Sequence, residues 1–303
     1  MKFECSLCPR RCGALRSDTG RGGICRSPAL PRVARAAPHF GEEPCIGGER
    51  GAGAVFFTGC NLRCVFCQNR EISRGEGGET VSVQGLRDML LRLRDQGVSC
   101  IDLVTGCHYT PAIAQALRGL ELGIPVVWNS SGYESVETLR LLEGLVQIYM
   151  PDFKYWNGEL ARRCSAAADY PQIAAAAIRE MYRQTGPYVM GGDGLLLSGV
   201  LIRHMILPSQ RENAMNVIDF AADEFPQGSV LFSLMSQYTP MPGLEAFPEL
   251  RERVDGELNR DLIHYMHVRG LEDGYWQEPG SSTAGMIPAF DLTGVERTAD
   301  GQL

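Results

Sequence analysis

The sequence predicts an α/β protein, a partial TIM-like barrel of six β/α units with a cysteine-rich extension in front of it. From about residue 52, six short apolar runs alternate with segments of helical periodicity, which is the pattern of parallel strands joined by helices. Six units are too few for a closed eight-stranded barrel. Because 44% of the 303 residues are hydrophobic and 21% are charged, the chain can form a large core.

Each predicted strand is a short run of apolar residues. In chain order the strands are Ala54–Phe57, Ile101–Val104, Val126–Trp128, Val146–Met150, Val200–Leu207 and Ser229–Met235. The first helix follows the first strand, with Leu86, Met89, Leu90 and Leu93 at helical spacing before Gly97. The other predicted helices are Pro111–Leu122, Ser135–Leu145, Pro171–Gln184, Asn213–Glu224 and Glu249–Gly270.

These elements divide the chain into three parts. Residues 1–48 form the cysteine-rich extension, residues 49–277 form the barrel core, and residues 278–303 form a tail. The tail begins with glycine and serine, so that we expect it either to pack across the barrel or to stay mobile.

The most informative motif is a group of three cysteines with C-x3-C-x2-C spacing, Cys60, Cys64 and Cys67. It directly follows the first predicted strand, and barrel enzymes place their chemistry at such strand ends. A [4Fe–4S] cube has four irons, each of which needs a ligand. Three thiolates leave one iron open, as a catalytic metal keeps a position for its substrate. The alternatives are reduced buried thiols or three ligands of a zinc site, which would need a fourth ligand nearby.

A second group of cysteines lies in the extension, at Cys5, Cys8, Cys12 and Cys25. Four soft ligands within a short segment can hold together a unit that is too small for its own core. Zinc and a second [4Fe–4S] cluster both accept four thiolates, and the spacing slightly favours the cluster. Cys45 is either a replacement ligand or a buried thiol, and we expect the thiol.

The composition also excludes some classes of function. Eleven cysteines without a signal-peptide pattern favour metal binding in a reducing compartment, so that we expect a cytoplasmic protein. No run approaches the roughly 20 apolar residues that cross a bilayer, and we expect no membrane partner. A net charge of −7 with scattered arginines argues against nucleic-acid binding.

With these elements placed, the chain resembles the radical S-adenosylmethionine (SAM) superfamily. Within it, the chain is similar to pyruvate formate-lyase activating enzyme and most closely to the uncharacterised PflX-like proteins. The matching segments include Cys8-Pro9-Arg10-x-Cys12-Gly13, His39-x2-Glu42-Glu43-Pro44, the cysteine loop, Asn129-x2-Gly132-Tyr133, Asp152-Phe153-Lys154-Tyr155, Arg203-His204 and Met235-x-Gln237-Tyr238. The resemblance implies the partial (β/α)6 barrel of radical SAM enzymes.

The resemblance also implies a set of site residues. Cys60, Cys64 and Cys67 would hold the cluster, and Phe66 would lie near the adenine of SAM. Thr105-Gly106-Cys107 occupies the place of the family's Gly-Gly-Glu turn but lacks its glutamate, so that backbone carbonyls would accept the SAM ammonium group. The remaining candidates for cofactor binding are Asn129, Ser131, Asp152, Lys154, Arg203 and His204. The roles of His39, Glu42 and Glu43 stay open.

The resemblance implies a radical SAM enzyme that abstracts hydrogen from a protein or peptide substrate, as in glycyl-radical enzyme activation. Its cofactors would be a [4Fe–4S] cluster and SAM, with an electron donor such as flavodoxin or ferredoxin as a partner. Modification of a small metabolite or a peptide natural product is an alternative. A non-catalytic iron–sulfur electron carrier is an alternative of another class.

Overall fold

The computed structural model describes residues 2–278 and 288–295. In this part of the chain, one mixed sheet of ten strands forms the core of the α/β fold, and a separate two-stranded hairpin lies in the extension. The strands are β1 (Lys2–Glu4), β2 (Leu15–Ser17), β3 (Arg32–His39), β4 (Ala52–Phe57), β5 (Glu79–Thr80), β6 (Ile101–Val104), β7 (Val126–Ser130), β8 (Ile148–Pro151), β9 (Val189–Met190), β10 (Leu196–Met205), β11 (Leu231–Met235) and β12 (Gly274–Trp276).

The order of strands in the large sheet is β12-β11-β10-β8-β7-β6-β4-β3-β5, and β9 pairs with β10. The pairs from β4 to β12 along this path are parallel, whereas β3 is antiparallel to β4. All six predicted strands are present, and the partial barrel that the sequence predicts is confirmed as an open, mostly parallel sheet.

Several strands differ from the prediction. Strand β10 begins four residues earlier than predicted, because its first residues pair with β9 in a hairpin. Strand β7 extends to Ser130, so that Asn129 lies within the strand rather than after it. The sequence analysis missed β12 because its three residues, Gly274–Trp276, show no apolar run.

The helices cover the sheet with apolar faces, as in α3, where the predicted Leu86, Met89, Leu90 and Leu93 are all buried and the Ser82 hydroxyl caps the first turn. The α-helices are α1 (Pro44–Gly47), α2 (Arg70–Ser73), α3 (Val83–Asp95), α4 (Thr110–Leu117), α5 (Val136–Leu139), α6 (Gly158–Ser165), α7 (Tyr170–Thr185), α8 (Arg211–Glu224) and α9 (Gly256–Val268).

Three predicted helices are shorter than expected. The helix predicted over Ser135–Leu145 is α5 followed by a 3-10 turn, and that predicted over Pro111–Leu122 ends at Leu117. Glycines with positive φ follow both, Gly144 at 76° and Gly119 at 65°, and this backbone cannot continue a helix. The helix predicted over Glu249–Gly270 begins only at Gly256, where the Asp255 side chain caps it.

The amino-terminal ends of the parallel strands are closed by α1. Cys45 and Ile46 of this helix are about 1% exposed and pack against Val127, Ile148 and Leu201 of the sheet. In the part of the chain that the structure describes, the opposite, carboxyl-terminal end of the sheet is open. The short segment before β4 therefore fixes the end of the barrel at which a ligand can enter.

The described residues of the tail lie along β3. The Leu292 N–H donates to the Ala34 carbonyl, the Ala36 N–H donates to the Thr293 carbonyl, and the Phe290 ring packs edge-on against Phe56 at 5.6 Å. The rest of the predicted tail lies outside the described residues, apart from Glu278. Within residues 2–278 and 288–295, the helices are all too short or too polar to span a membrane.

Candidate active site

The three cysteines of the predicted motif lie on one wall of a cavity of about 230 Å³ at the carboxyl ends of the strands. Strand β4, buried along its whole length, leads directly into this loop. Gly59 begins the loop with φ at 94°, and a Cβ atom here would lie only 2.6 Å from the Cys25 carbonyl oxygen. Only glycine allows this close approach of the extension to the cysteine loop.

The end of helix α6 holds the other side of the cysteine loop. The Val65 N–H donates to the Cys164 carbonyl at 2.9 Å, and the Arg63 N–H donates to the Ser165 carbonyl at 3.4 Å. The Ser165 hydroxyl donates to Cys64 Sγ at 3.0 Å. The conformation of the cysteine loop thus depends on hydrogen bonds to the end of α6 and not only on the residues of the loop itself.

The donor chemistry of this wall fits an iron–sulfur cluster. Thiolates are the ligands that such clusters use, and the Ser165 hydroxyl directed at Cys64 suits a negatively charged sulfur. Burial raises the pKa of Cys60 to about 12, so that its proton stays until a metal displaces it. Within the described ranges, no three Cys, His, Asp or Glu side chains converge around one point as the ligands of a single ion do. A cubane cluster has a different requirement, since each thiolate binds a separate iron.

The opposite wall of the cavity carries charged side chains from neighbouring strand ends. Arg203 Nε donates to Asp152 Oδ1 at 3.0 Å, and Arg203 Nη2 donates to Asn129 Oδ1 at 2.8 Å. Lys154 Nζ donates to Asp152 Oδ2. Parallel strands bring these residues together because their carboxyl ends meet at one edge of the sheet.

These side chains are held in their charged forms. Burial raises the pKa of Asp152, but the charges of Arg203 and Lys154 outweigh burial and the net shift is downward. Burial lowers the pKa of Lys154, but the Asp152 carboxylate reverses this and the net shift is upward. The wall therefore offers an ammonium and a guanidinium group that can bind a carboxylate.

Acidic residues lie at the base of this wall; the sequence analysis left the roles of Glu42 and Glu43 open and missed Asp102. Glu42 Oε2 lies 3.3 Å from Arg203 Nη1, and the fully buried Asp102 accepts from Asn129 Nδ2 at 3.2 Å. Burial and then the charge of Glu42 raise the pKa of Asp102 well above its usual value. Glu43 accepts from Ser233 Oγ at 2.7 Å. Glu42 and Glu43 could have been assigned to the site from their place in the motif before β4. Asp102 could have been recognised because it is a charged residue within the apolar run of β6.

The other predicted cofactor-binding residues divide between the cavity and the protein interior. Phe66, Thr105 and Ser131 line the cavity. Thr105 has φ at 61°, a strained backbone for a β-branched residue of the kind found at functional sites.

Gly106, Cys107 and His204 lie outside the cavity lining. His204 is fully buried on the face of β10 opposite to Arg203, and its Nδ1 pairs with the Phe153 carbonyl at 2.6 Å. Cys107 packs in the core, because a 3-10 turn at Cys107–Tyr109 turns its side chain inward. The structure thus places the His204 side chain away from the cavity, where the sequence led us to expect it, whereas the turn with Cys107 was expected to act only through its backbone carbonyls. Burial lowers the pKa of His204 to about 4, so that its ring is neutral.

The cysteines of the extension lie against the active-site loop. Burial raises the pKa of Cys8 to about 11, and the nearby Cys25, Cys5 and Cys12 contribute to this rise. Arg16 Nη1 donates to Cys5 Sγ at 3.4 Å and to the His108 carbonyl at 2.8 Å. The extension is therefore docked on the barrel by buried polar contacts. All eleven cysteines of the chain are free thiols.

The chain is similar to known proteins over much of its length. Residues 54–199 match the model of the radical SAM superfamily. The uncharacterised protein MJ0674 of Methanocaldococcus jannaschii is 29% identical over 267 residues, which cover 84% of this chain and 71% of that protein.

Two solved structures show a weak similarity to part of the chain. SuiB of Streptococcus suis, bound to its precursor peptide SuiA, is 13% identical with a TM-score of 0.49 over 72% of this chain, and this chain spans about half (46%) of the SuiB chain. A domain of pyruvate-formate lyase-activating enzyme from Bacteroides vulgatus is 14% identical with a TM-score of 0.36, over 64% of this chain and 91% of that domain.

The matched region contains most of β4, the cysteine loop and the ends of β7 and β8 with Asp152 and Lys154, whereas Arg203 lies beyond it. Over residues 54–199 the chain is thus similar to the radical SAM superfamily. That superfamily consists of enzymes and implies a [4Fe–4S] cluster and SAM as cofactors.

Proposed function

We propose that this protein is a radical SAM enzyme that binds a [4Fe–4S] cluster through Cys60, Cys64 and Cys67, cleaves SAM reductively, and abstracts a hydrogen atom from a protein or peptide substrate. The observation that carries the proposal is the cavity itself. Three thiols form one wall, and the carboxylate-binding side chains Lys154 and Arg203 form the other. SAM carries both an amino-acid end that can bind a metal and polar groups that can reach this wall.

Several side chains of the cavity have a role in this proposal. The three cysteines would leave one iron free for the amino and carboxylate groups of SAM. Lys154 would bind the SAM carboxylate by a charge-assisted hydrogen bond, and Asp152 would hold Lys154 in place. Asn129 and Ser131 would bind ribose hydroxyls, Phe66 would contact the adenine, and the strained Thr105 would direct its carbonyl at the ammonium group. When bound, the cluster supplies the electron that cleaves SAM to methionine and a 5′-deoxyadenosyl radical.

The proposal of a polypeptide substrate is supported by the open sheet. In the described residues the sheet ends at β12 on one side and at β5 on the other, so that the barrel wall is incomplete. An incomplete wall leaves space for a peptide loop beside the cavity. Glycyl-radical enzyme activation would be one such reaction. A small metabolite or a peptide natural product would use the same cavity and is the alternative.

Further components of the proposal concern partners and location. A one-electron donor such as flavodoxin or ferredoxin would reduce the cluster. Cys5, Cys8, Cys12 and Cys25 would hold a second [4Fe–4S] cluster or a zinc ion. Free thiols throughout the chain are compatible with a reducing compartment such as the cytoplasm.

The test of SAM cleavage is anaerobic reconstitution with iron and sulfide, followed by dithionite and SAM. We expect the wild type to form 5′-deoxyadenosine, and Cys64→Ala to lose at least a hundredfold in rate because one ligand of the cluster is missing. The matched control is Cys100→Ala, which removes a buried thiol near α1, away from the cavity, and should retain the rate. A wild type that holds a reducible cluster but forms no 5′-deoxyadenosine would instead support an electron carrier.

The same assay distinguishes the substrate classes. Deuterated cell extract from the source organism is separated into proteins and a small-molecule fraction, and each fraction is added to the enzyme. We expect deuterium to appear in 5′-deoxyadenosine with the protein fraction, because hydrogen abstraction transfers the label. Transfer only from the small-molecule fraction would contradict the polypeptide substrate without affecting the proposal of SAM cleavage.

A further inference from the structure

A chain of two hydroxyl groups ends at one of the three cysteines of the active site. The Ser165 hydroxyl donates to Cys64 Sγ at 3.0 Å, and the Tyr155 hydroxyl lies 2.6 Å from Ser165 Oγ. Ser165 and Tyr155 are both fully buried. The family motif does not include Ser165, which lies 101 residues from Cys64 in the sequence.

The direction of this chain follows from the number of protons. A thiolate bound to iron has no proton and can only accept a hydrogen bond. If Ser165 donates its single proton to Cys64, Tyr155 must donate to Ser165 Oγ. Each hydrogen bond polarises the next, so that Tyr155 strengthens the bond that Ser165 makes to the sulfur.

A donor at a cluster ligand affects the redox equilibrium. Reduction adds one negative charge to the cluster, and part of that charge resides on the thiolate sulfurs. A hydrogen bond to a sulfur stabilises the reduced form more than the oxidised form, and hydrogen bonds to sulfur are one of the means by which proteins set cluster potentials.

We propose that Ser165, oriented by Tyr155, is a positioning residue that raises the reduction potential of the cluster bound at Cys64. The inference rests on the proposed function in one respect, that Cys64 is a cluster ligand. The fold fixes the position of the Ser165 side chain, because Ser165 is the last residue of α6. Its carbonyl also accepts hydrogen bonds from Arg63 of the cysteine loop and from Arg10 of the extension. The donor is thus held by the same contacts that hold the loop.

The test is a redox titration of reconstituted protein without SAM, followed by electron paramagnetic resonance. We expect Ser165→Ala to make reduction about tenfold less favourable, a potential about 59 mV lower for one electron. Tyr155→Phe should lower it by a smaller amount, because Ser165 can still donate. If the extension holds a second cluster, the relevant transition is the one that Cys64→Ala abolishes.

A spectroscopic measurement and a control complete the experiment. The reduced wild-type cluster should show a proton coupling that exchanges in D2O and is absent from Ser165→Ala. The control is Ser99→Ala, which removes a buried hydroxyl that donates to the Gly47 carbonyl at 2.8 Å near α1, and we expect its potential to match the wild type.

The outcomes separate this inference from the proposed function. A wild type without a reducible cluster at Cys64 would overturn both. A loaded Ser165→Ala protein with the wild-type potential and the same exchangeable coupling would overturn this inference alone. If Ser165→Ala does not bind iron, Tyr155→Phe decides, since an unchanged or higher potential in that variant would contradict the proposed chain.

Discussion

At the scale of the residue, the informative side chains are buried groups whose chemistry differs from that of the same groups in water. Glu134 is an example that the sequence analysis did not single out. It is 3% exposed, and its carboxylate accepts from Trp128 Nε1 at 3.0 and 3.2 Å. Burial raises the pKa of Glu134 to about 7, and the hydrogen bonds from Ser130 and Trp128 limit this rise.

The pKa of Glu134 gives a prediction for stability against pH. The folded state binds the proton more tightly than the unfolded state does, so Glu134 reduces stability as pH rises from about 4 to about 7. We expect the free energy of unfolding of the wild type to fall by about 3 kcal/mol relative to Glu134→Gln over this range, at about 1.4 kcal/mol per pKa unit. The measurement is urea unfolding of both proteins at several pH values between 4 and 8.

The control for this prediction is Glu137→Gln, which alters an exposed carboxylate on the neighbouring helix α5. We expect its unfolding free energy to follow the wild type at every pH. Parallel curves for the wild type and Glu134→Gln would show that the Glu134 carboxyl is not protonated in the folded protein at neutral pH.

At the scale of the element, the end of helix α6 is the point at which three parts of the chain meet. Helix α6 ends because Ala166 has a left-handed backbone with φ at 52°, and its last carbonyls are left without partners inside the helix. The cysteine loop and the extension bind these carbonyls. Neither the cap at Asn157 nor this end was part of the sequence prediction, since α6 has only eight residues and few of them are apolar.

Arg10 is the contact between the extension and this helix end. Its Nε donates to the Asn61 carbonyl at 2.9 Å and its Nη2 to the Ser165 carbonyl at 3.0 Å, while Nη1 donates to the Ala166 carbonyl. We expect Arg10→Met to lower the free energy of unfolding by about 2–3 kcal/mol, because charged hydrogen bonds contribute about 1.5–3 kcal/mol and part of the side-chain packing remains. Amide hydrogen exchange of residues 5–27 in reconstituted protein should become faster.

The exposed neighbour Arg11 supplies the matched control. Arg11→Met removes the same charge, and we expect neither the stability nor the exchange rates to change measurably. Equal effects of the two substitutions would mean that the docking of the extension depends on net charge rather than on these three hydrogen bonds.

At the scale of the whole molecule, Arg203 joins parts of the fold that are distant in sequence. It binds Asp152 after β8, Asn129 of β7 and Glu42 before α1, and it is only 14% exposed. One guanidinium group therefore connects the ends of β7 and β8 with the segment that closes the barrel, and it also forms part of the cavity wall.

Removal of Arg203 should weaken the whole protein as well as the cavity. We expect Arg203→Met to lower the free energy of unfolding by about 3–5 kcal/mol, because it leaves buried carboxylates without their partner. The comparison is Arg211→Met, which breaks an exposed pair with Asp261 at 2.7 Å and should cost no more than about 1 kcal/mol. Thermal and urea unfolding would measure the loss of stability in both variants. A cost for Arg203→Met within 1 kcal/mol of the control would show that the network does not stabilise the fold.

The sequence by itself determined the six parallel strands, the open α/β barrel and the cysteine loop, because these depend on local patterns: apolar runs, helical spacing and three thiols within eight residues. The tertiary structure alone decided which side chains face the cavity. Arg203 points into the cavity whereas His204 is buried behind the sheet, and Glu42 and Ser165 reach partners 161 and 101 residues away. The physical reason is that such contacts arise from strand register and from the close packing of loop ends, which join positions that no local pattern relates.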